Sequence, residues 1–282
     1  LTSRDKSSAN PVPLCGVPYH AAQAYIAKLL KAGKTVALCE QVEDPKLAKG
    51  LVRREVVRLY TPGTLIDTEL LSPGESHFLA AVAFSDTTVP SAKGQSPIGL
   101  ACLDVSTGEF WMTEFQGIRA EVQLMDELAR LEPRELLHQD SLTNAGSCLT
   151  RLHGPRLCAQ PAASFNPKDA AQSLQTQFAV HSLDGFGCRG LSAGIGAAGA
   201  ILRYVRESQP TASLAHLRRI QTRWSSDAMH LDSATIRNLE LVRPSGASDQ
   251  RLGQEQPTVL SVLDRTATAM GSRLLRDWLV RP

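Results

Sequence analysis

The pattern of apolar and polar positions divides the chain into a short α/β segment, a longer α/β segment and a helical segment. From Ala21 to Ala32, apolar residues recur at spacings of three and four, the period of an amphipathic helix. Gly33 follows, at a position where helices commonly end in a left-handed residue. Alternating patterns then predict strands from Thr35 to Gln41 and from Glu55 to Tyr60. Residues 1–67 therefore predict a small α/β module.

A linker rich in proline and glycine is predicted from Pro62 to Glu75, and a second α/β domain is predicted for residues 68–211. Three apolar strands precede a helix from Arg119 to Leu131, and a short buried strand at 135–138 and further helices follow. Ser106-Thr107-Gly108 is a three-residue hairpin connection between two of the strands. This order predicts a mixed sheet covered by helices, and we expect residues 141–163 to be irregular with one edge strand. The first three strands are predicted at 78–84, 98–105 and 109–115.

Residues 212–282 predict the beginning of a helical domain. Met229 to Leu231 is a short apolar run that predicts a strand. Asp232 is positioned to cap the N-terminus of the helix that follows, which the pattern extends to Leu241.

Three glycines between Leu191 and Val205 spell the dinucleotide-binding pattern G-x-G-x-x-G. That fingerprint requires a strand directly before it and a strand-to-helix turn that holds the glycines. Gly194, Gly196 and Gly199 instead fall inside a helical pattern. We therefore expect them to allow close helix packing and not to bind phosphate.

Composition and charge exclude some classes of protein. No apolar run approaches the ~18 to 20 residues that a membrane span needs, so no membrane partner is expected. Six scattered cysteines without a C-x-x-C pair argue against a zinc site or a disulfide framework and fit a cytoplasmic protein. Residues 1–61 carry ten Lys or Arg against five acids, residues 62–211 ten against sixteen, and residues 212–282 ten against seven. A basic N-terminal segment suits contact with phosphates, and ordinary surface variation explains the same charges equally well.

Ordered motifs along the chain are similar to those of a known family. GVPYHA, then G-K-x-V-A-x-C-E-Q, then R-x-V-V-R-x-x-T-P-G-T follow one another between Gly16 and Thr64. They resemble the mismatch-recognition domain of the bacterial MutS family. The L-D-x-S-T-G-x-F hairpin and the LDSATIRNLEL segment extend the resemblance to the family's connector and core domains.

The resemblance implies a domain assignment and a function. Residues 1–67 would be the remainder of mismatch-recognition domain I, residues 68–211 the RNase-H-like connector domain II, and residues 212–282 the beginning of the helical core or lever domain III. The intact protein would be a cytoplasmic, dimeric ATPase that uses ATP and Mg²⁺, binds mispaired or unpaired bases in double-stranded DNA and initiates mismatch repair. A MutL-type partner would bind the connector.

Two motifs of the family do not occur in this sequence. There is no Walker A pattern for ATP phosphates and no F-x-E, the pair that in the family stacks on the mismatched base and hydrogen-bonds to it. We therefore expect a fragment that catalyses nothing and holds no cofactor itself. The F-x-E hairpin would lie before Leu1 and the ATPase beyond Pro282.

Positions that match the family's DNA-facing motifs give the candidate DNA-binding residues. Arg4 and Lys6 belong to a polar loop, where simple solvation would explain an isolated cation as well. Leu14 stands where the family commonly has methionine, which implies an apolar contact in the minor groove. Arg53 and Arg54 form a basic pair at the beginning of a strand.

Two other functions are open to the same residues. An RNase-H-like sheet with acids at Asp104, Glu109 and Glu135 could belong to a metal-dependent nuclease or phosphotransferase, whose two Mg²⁺ ions lie about 4 Å apart. That function requires the three carboxylates to converge, whereas Asp104 could simply cap the hairpin turn. The acidic middle segment, taken alone, also fits a protein-binding adaptor.

Overall fold

The computed structural model of the chain describes residues 2–3, 13–14, 16–44, 50, 52–66, 74–84, 96–140, 148–150, 152, 154–210, 213–224, 227–244 and 257–282. Its strands are β1 (Thr2–Ser3), β2 (Pro13–Leu14), β3 (Val36–Gln41), β4 (Arg54–Tyr60), β5 (Phe78–Phe84), β6 (Ile98–Asp104), β7 (Glu109–Phe115), β8 (Glu135–Gln139), β9 (Arg156–Gln160) and β10 (Gln221–Thr222). Its helices are α1 (Ala22–Lys31), α2 (Ala120–Leu131), α3 (Pro167–Phe178), α4 (Ser192–Ser208), α5 (Ser233–Asn238), α6 (Val259–Leu263) and α7 (Ala269–Val280).

The N-terminal module packs α1 against the antiparallel pair β3–β4. Ile26 and Leu30 of the helix form a small core with Tyr60 and Leu65, which explains the apolar spacing along α1. Gly33 has a φ of +70°, so the predicted helix-ending glycine is confirmed. A separate two-stranded antiparallel pair is formed by β1 and β2.

A six-stranded mixed sheet is the centre of the molecule, with the strand order β10-β7-β6-β5-β8-β9. The neighbours β5, β6 and β7 are antiparallel, whereas β8 is parallel to β5, β9 to β8 and β10 to β7. Helix α2 covers one face, and α3 and α4 cover the other, so every residue of β5 and β6 is buried. The predicted mixed α/β fold is thus confirmed, including the edge strand β9.

The glycines of α4 let neighbouring backbones approach closely. A Cβ atom on Gly196 would lie 2.5 Å from the carbonyl oxygen of Phe165. One on Gly199 would lie 2.2 Å from the Cβ of Ala170 in α3. Both distances are below any normal van der Waals contact, so the expected packing role is confirmed. These glycines lie inside a helix and form no phosphate-binding turn.

The C-terminal region differs from the sequence prediction at one strand. Met229 to Leu231 form no strand, so that prediction was wrong. The edge of β7 that could have paired with them is already occupied by β10, and the Met229 amide instead donates to the carbonyl oxygen of Pro282 at 2.8 Å. Asp232 caps α5 as predicted, since its carboxylate accepts the amide of Thr235 at 2.6 Å, but α5 ends at Asn238.

The sheet and its core also include residues that follow the predicted end of the second domain at 211. Leu214, Leu217 and Ile220 are buried in the core between the sheet and helices α3 and α4, and β10 follows them. None of the helices in the described ranges has the length and hydropathy that a membrane crossing requires.

Candidate nucleic-acid interface

Strand β4 contains a β-bulge between its beginning and its end. The register pairs Leu38 with Arg58 and Cys39 with Val56, so Val57 is an extra residue without a partner on β3. Because side chains alternate along a strand, one extra residue moves everything beyond it to the other face.

The bulge places Arg54 on the face of the sheet that α1 does not cover. Arg58 and Tyr60 lie on the covered face, where Tyr60 is buried in the small core. Without the bulge, simple alternation would direct Arg54 to that same face. With it, Arg54 pairs with Gln41 and lies on the solvent-exposed face together with Val56, which is 57% exposed.

The two arginines at the beginning of β4 have different surroundings. The Arg53 amide donates to the Glu43 carboxylate at 3.1 Å, and its carbonyl accepts the Val42 amide at 3.1 Å. The Arg53 guanidinium forms a salt bridge with Glu55 while its side chain stays 70% exposed. Arg54 is exposed, and no described residue forms a salt bridge with it. Of these two arginines, Arg54 therefore has the positive charge that is more available to a ligand.

The other predicted DNA-binding residues are only partly located. Arg4 and Lys6 lie outside the described residues. The backbone of Leu14 pairs with Thr2 across β1 and β2, and its side chain is outside what the structure describes. Of the predicted DNA-binding side chains, the structure therefore describes those of Arg53 and Arg54.

Asp104 has the structural role of a turn cap. Its Oδ1 accepts the Ser106 amide at 2.9 Å and the Ser106 hydroxyl at 2.6 Å. Its Oδ2 accepts the amide of His77 at 3.2 Å. These donors hold the carboxylate at the β6–β7 hairpin, as the turn-capping alternative predicted.

The other two acids do not join Asp104 in a metal site. Asp104 pairs with Phe78 and Glu135 pairs with Leu79. Phe78 and Leu79 are consecutive in β5 and face opposite sides of the sheet, so the two carboxylates do as well. Among the described residues, no group of three or more His, Cys, Asp or Glu could hold a metal ion. The geometry therefore does not favour the nuclease or phosphotransferase.

Glu109 is engaged by a neighbouring arginine. Arg223 donates to its carboxylate at 2.8 Å and lies 4.5 Å above the ring of the buried Trp111. Burial raises the pKa of Glu109 above its usual value, and Arg223 acts in the opposite direction. The arrangement stabilises the β7–β10 edge of the sheet.

Profiles of protein families match three consecutive parts of the chain. MutS domain I matches residues 1–69, MutS domain II residues 77–218 and MutS domain III residues 234–282. The domain II match alone spans half of the 282 residues. The chain belongs to the MutS family.

Curated members of the MutS family match this chain from end to end. The DNA mismatch repair protein MutS of Syntrophobacter fumaroxidans is 44% identical over 283 residues. Those of Symbiobacterium thermophilum and Myxococcus xanthus are each 43% identical, over 289 and 286 residues. The chain spans only 30 to 31% of the length of these relatives.

Sequence patterns missed the structural role of two residues that organise this part of the MutS fold. Val57 has no local signal, because a bulge depends on how β3 and β4 pair. Glu135 does have one, since it is a charged residue at the head of a short buried strand. Its side chain reaches the end of the N-terminal module, where its carboxylate accepts the amide of Gly63 at 3.2 Å.

Proposed function

We propose that this chain is the part of a DNA mismatch-recognition protein that joins DNA-contacting arginines to a connector sheet. The intact protein binds mispaired or unpaired bases and initiates their repair. Membership of the MutS family supports this function, and the relatives that match the chain are named DNA mismatch repair proteins. In this proposal, residues 1–67 are part of the recognition domain, 68–211 are an RNase-H-like connector and 212–282 begin the helical core.

The observation that carries the proposal for this chain is the position of Arg54. The strand register assigns its side chain to the face of β3–β4 that α1 does not cover, where a duplex could approach without displacing α1. Arg53 is adjacent and also exposed. Contacts from arginine to phosphate give salt-dependent affinity without reading the base sequence.

Discrimination between mismatched and paired DNA would come from a difference in the free energy needed to kink the duplex. An apolar side chain inserted into the minor groove, the role proposed for Leu14, kinks the duplex at a cost of a few kcal/mol for each unstacked step. That cost is lowest where base pairing is already broken. The protein would therefore prefer mismatches because they bend more easily, without a code for particular bases.

The intact protein would be a cytoplasmic homodimer that uses ATP and Mg²⁺, and the connector would bind a MutL-type partner. This chain has no Walker A pattern, and its described residues hold no metal-binding group. The proposal therefore assigns ATP and Mg²⁺ to other parts of the intact protein and derives no step through them here.

The test is duplex binding by the 282-residue chain over a series of salt concentrations. The chain should bind a labelled duplex weakly, with little preference for a mismatch, because its sequence lacks F-x-E. Arg54→Ala should lower the slope of log K against log salt by about 0.9 for each phosphate that is no longer neutralised. Arg203→Ala, which removes an exposed arginine of α4, is the matched control and should leave the slope unchanged.

Joining an F-x-E hairpin of the family ahead of Leu1 should raise the preference for mismatched over paired duplex. Arg54→Ala in that extended protein should weaken this preference. Equal binding of paired and mismatched duplex by the extended protein would overturn the proposed function. An unchanged affinity and salt slope in Arg54→Ala would overturn the DNA-contacting role of that residue alone.

A further inference from the structure

The segment that joins the module to the connector sheet is buried, although its sequence predicts part of a linker. We call residues 61–65 the junction segment. Thr61 and Thr64 are 0% and 1% exposed, and their hydroxyl oxygens are 2.9 Å apart. The Gln209 side chain, at the end of α4, donates to the Thr64 carbonyl oxygen. The junction segment is therefore part of the interior and fixes where the module sits.

Glu135 is the centre of this junction. Its side chain is fully buried, and its carboxylate accepts the Gly63 amide at 3.2 Å and the Tyr204 hydroxyl at 2.8 Å. Arg156 of β9 lies 3.5 Å from the same carboxylate. A buried carboxylate is costly unless it is hydrogen-bonded and paired. Withdrawal of the junction segment would remove the Gly63 donor, so Glu135 favours the docked arrangement.

Tyr204 extends the same network to helix α4. Burial raises the pKa of Tyr204 above its usual value, and the neighbouring Glu135 raises it further. The phenol therefore stays protonated and able to donate to the carboxylate. The Thr61 side chain acts in the opposite direction and lowers the pKa of Tyr204, so the phenol is also close to the junction segment.

The fit at Gly63 is steric as well as polar. A Cβ atom there would lie 2.9 Å from the Cβ of Glu135 and 3.0 Å from Cδ1 of Leu79. Any larger residue would push the junction segment away from the sheet. The absence of a side chain at Gly63 is therefore a condition for the docked position.

Strand β4 runs directly from the exposed Arg54 to the junction segment, with Tyr60 buried at its inner end. We propose that Glu135 and Tyr204 are positioning residues that hold β4, and with it Arg54, in a fixed place relative to the connector sheet. The consequence for DNA rests on the proposed function. The positioning of β4 by Glu135 and Tyr204 does not itself depend on DNA binding.

Hydrogen exchange of the whole 282-residue chain, followed by mass spectrometry without DNA, tests the connection. In Glu135→Gln, the Tyr204 hydroxyl can accept from the new amide NH₂, but loss of the negative charge weakens the hydrogen bond from the Gly63 amide and removes the ion pair with Arg156. Tyr204→Phe removes the hydroxyl that donates to the carboxylate. Both should speed exchange of residues 54–65 by about tenfold, the factor that ~1.4 kcal/mol corresponds to. Exchange within β5 and β6 should stay at the wild-type rate.

Glu114→Gln is the matched control. Glu114 accepts the amides of Ala193 and Gly194 at 3.1 and 3.2 Å, so it caps α4 inside the connector and does not touch the junction segment. It should speed exchange at the beginning of α4 and leave residues 54–65 unchanged. Wild-type exchange of 54–65 in both Glu135→Gln and Tyr204→Phe would overturn the proposal, as would equal acceleration in Glu114→Gln.

Duplex binding separates this inference from the proposed function. Glu135→Gln should lower the affinity for duplex and leave the salt slope unchanged, because the phosphate-binding cations are all present but less well held. Arg54→Ala should lower the slope itself. If the wild-type chain does not bind duplex, the proposed function fails, whereas the exchange experiment still decides the junction.

Discussion

Arg53 forms a salt bridge with Glu55, two residues farther along the chain, at the exposed beginning of β4. The side chains are 70% and 48% exposed, so water and salt screen the attraction between them. The bridge nevertheless places a negative charge beside one of the two arginines proposed to meet phosphate. Arg54 has no such partner among the described residues.

Glu55→Gln should therefore raise the affinity for duplex DNA at low salt. The change removes a carboxylate that repels phosphate and releases the Arg53 guanidinium, and the gain should be about 1 kcal/mol or less. Fluorescence anisotropy with a labelled duplex measures it. Glu121→Gln makes the same charge change on the exposed surface of α2 and should have little effect. An equal gain in both variants would mean that net charge, and not the Arg53 position, governs binding.

The domain built on the six-stranded sheet should need residues beyond 211 to be stable alone. The sequence pattern ends it at residue 211, yet Leu214, Leu217 and Ile220 are buried in its core and β10 completes its sheet. Each buried aliphatic side chain contributes about 1.5–3 kcal/mol. A protein of residues 77–224 should unfold cooperatively in denaturant at a clearly higher midpoint than one of residues 77–211. Identical midpoints for the two would contradict the longer boundary.

Gly199→Ala should destabilise the domain built on the six-stranded sheet by about 1–3 kcal/mol, the usual cost of overpacking a tight core. The new methyl group would lie 2.2 Å from Ala170 Cβ and 2.7 Å from its Cα, so α3 and α4 would have to separate. Thermal or denaturant unfolding of the whole chain measures the change. Gly185→Ala is the control, because a Cβ atom there meets nothing within 4 Å, and its effect should stay within ~0.5 kcal/mol. Equal stability of the two variants would show that the helices adapt without cost.

The sequence by itself determined most of the local structure. The bounds of β5 and β7 were predicted to the residue, since apolar strands between turn residues carry a local signal. Helix α3 begins at Pro167 after its Asn166 cap, and Gly33 follows α1 in the left-handed conformation. Each of these depends on residues within a few positions of one another, so the chain alone was sufficient.

Only the tertiary structure decided which residues meet. The bulge at Val57 depends on the pairing of β3 with β4, and it alone moves Arg54 to the open face. Asp104 and Glu135 could be predicted as acids on strands, but their opposite faces follow from their pairing with consecutive residues of β5. A strand pattern has a period of two and contains no information about register with a distant strand. For the same reason, the contact between Gly63 and Glu135, 72 residues apart, appears only once the sheet is assembled.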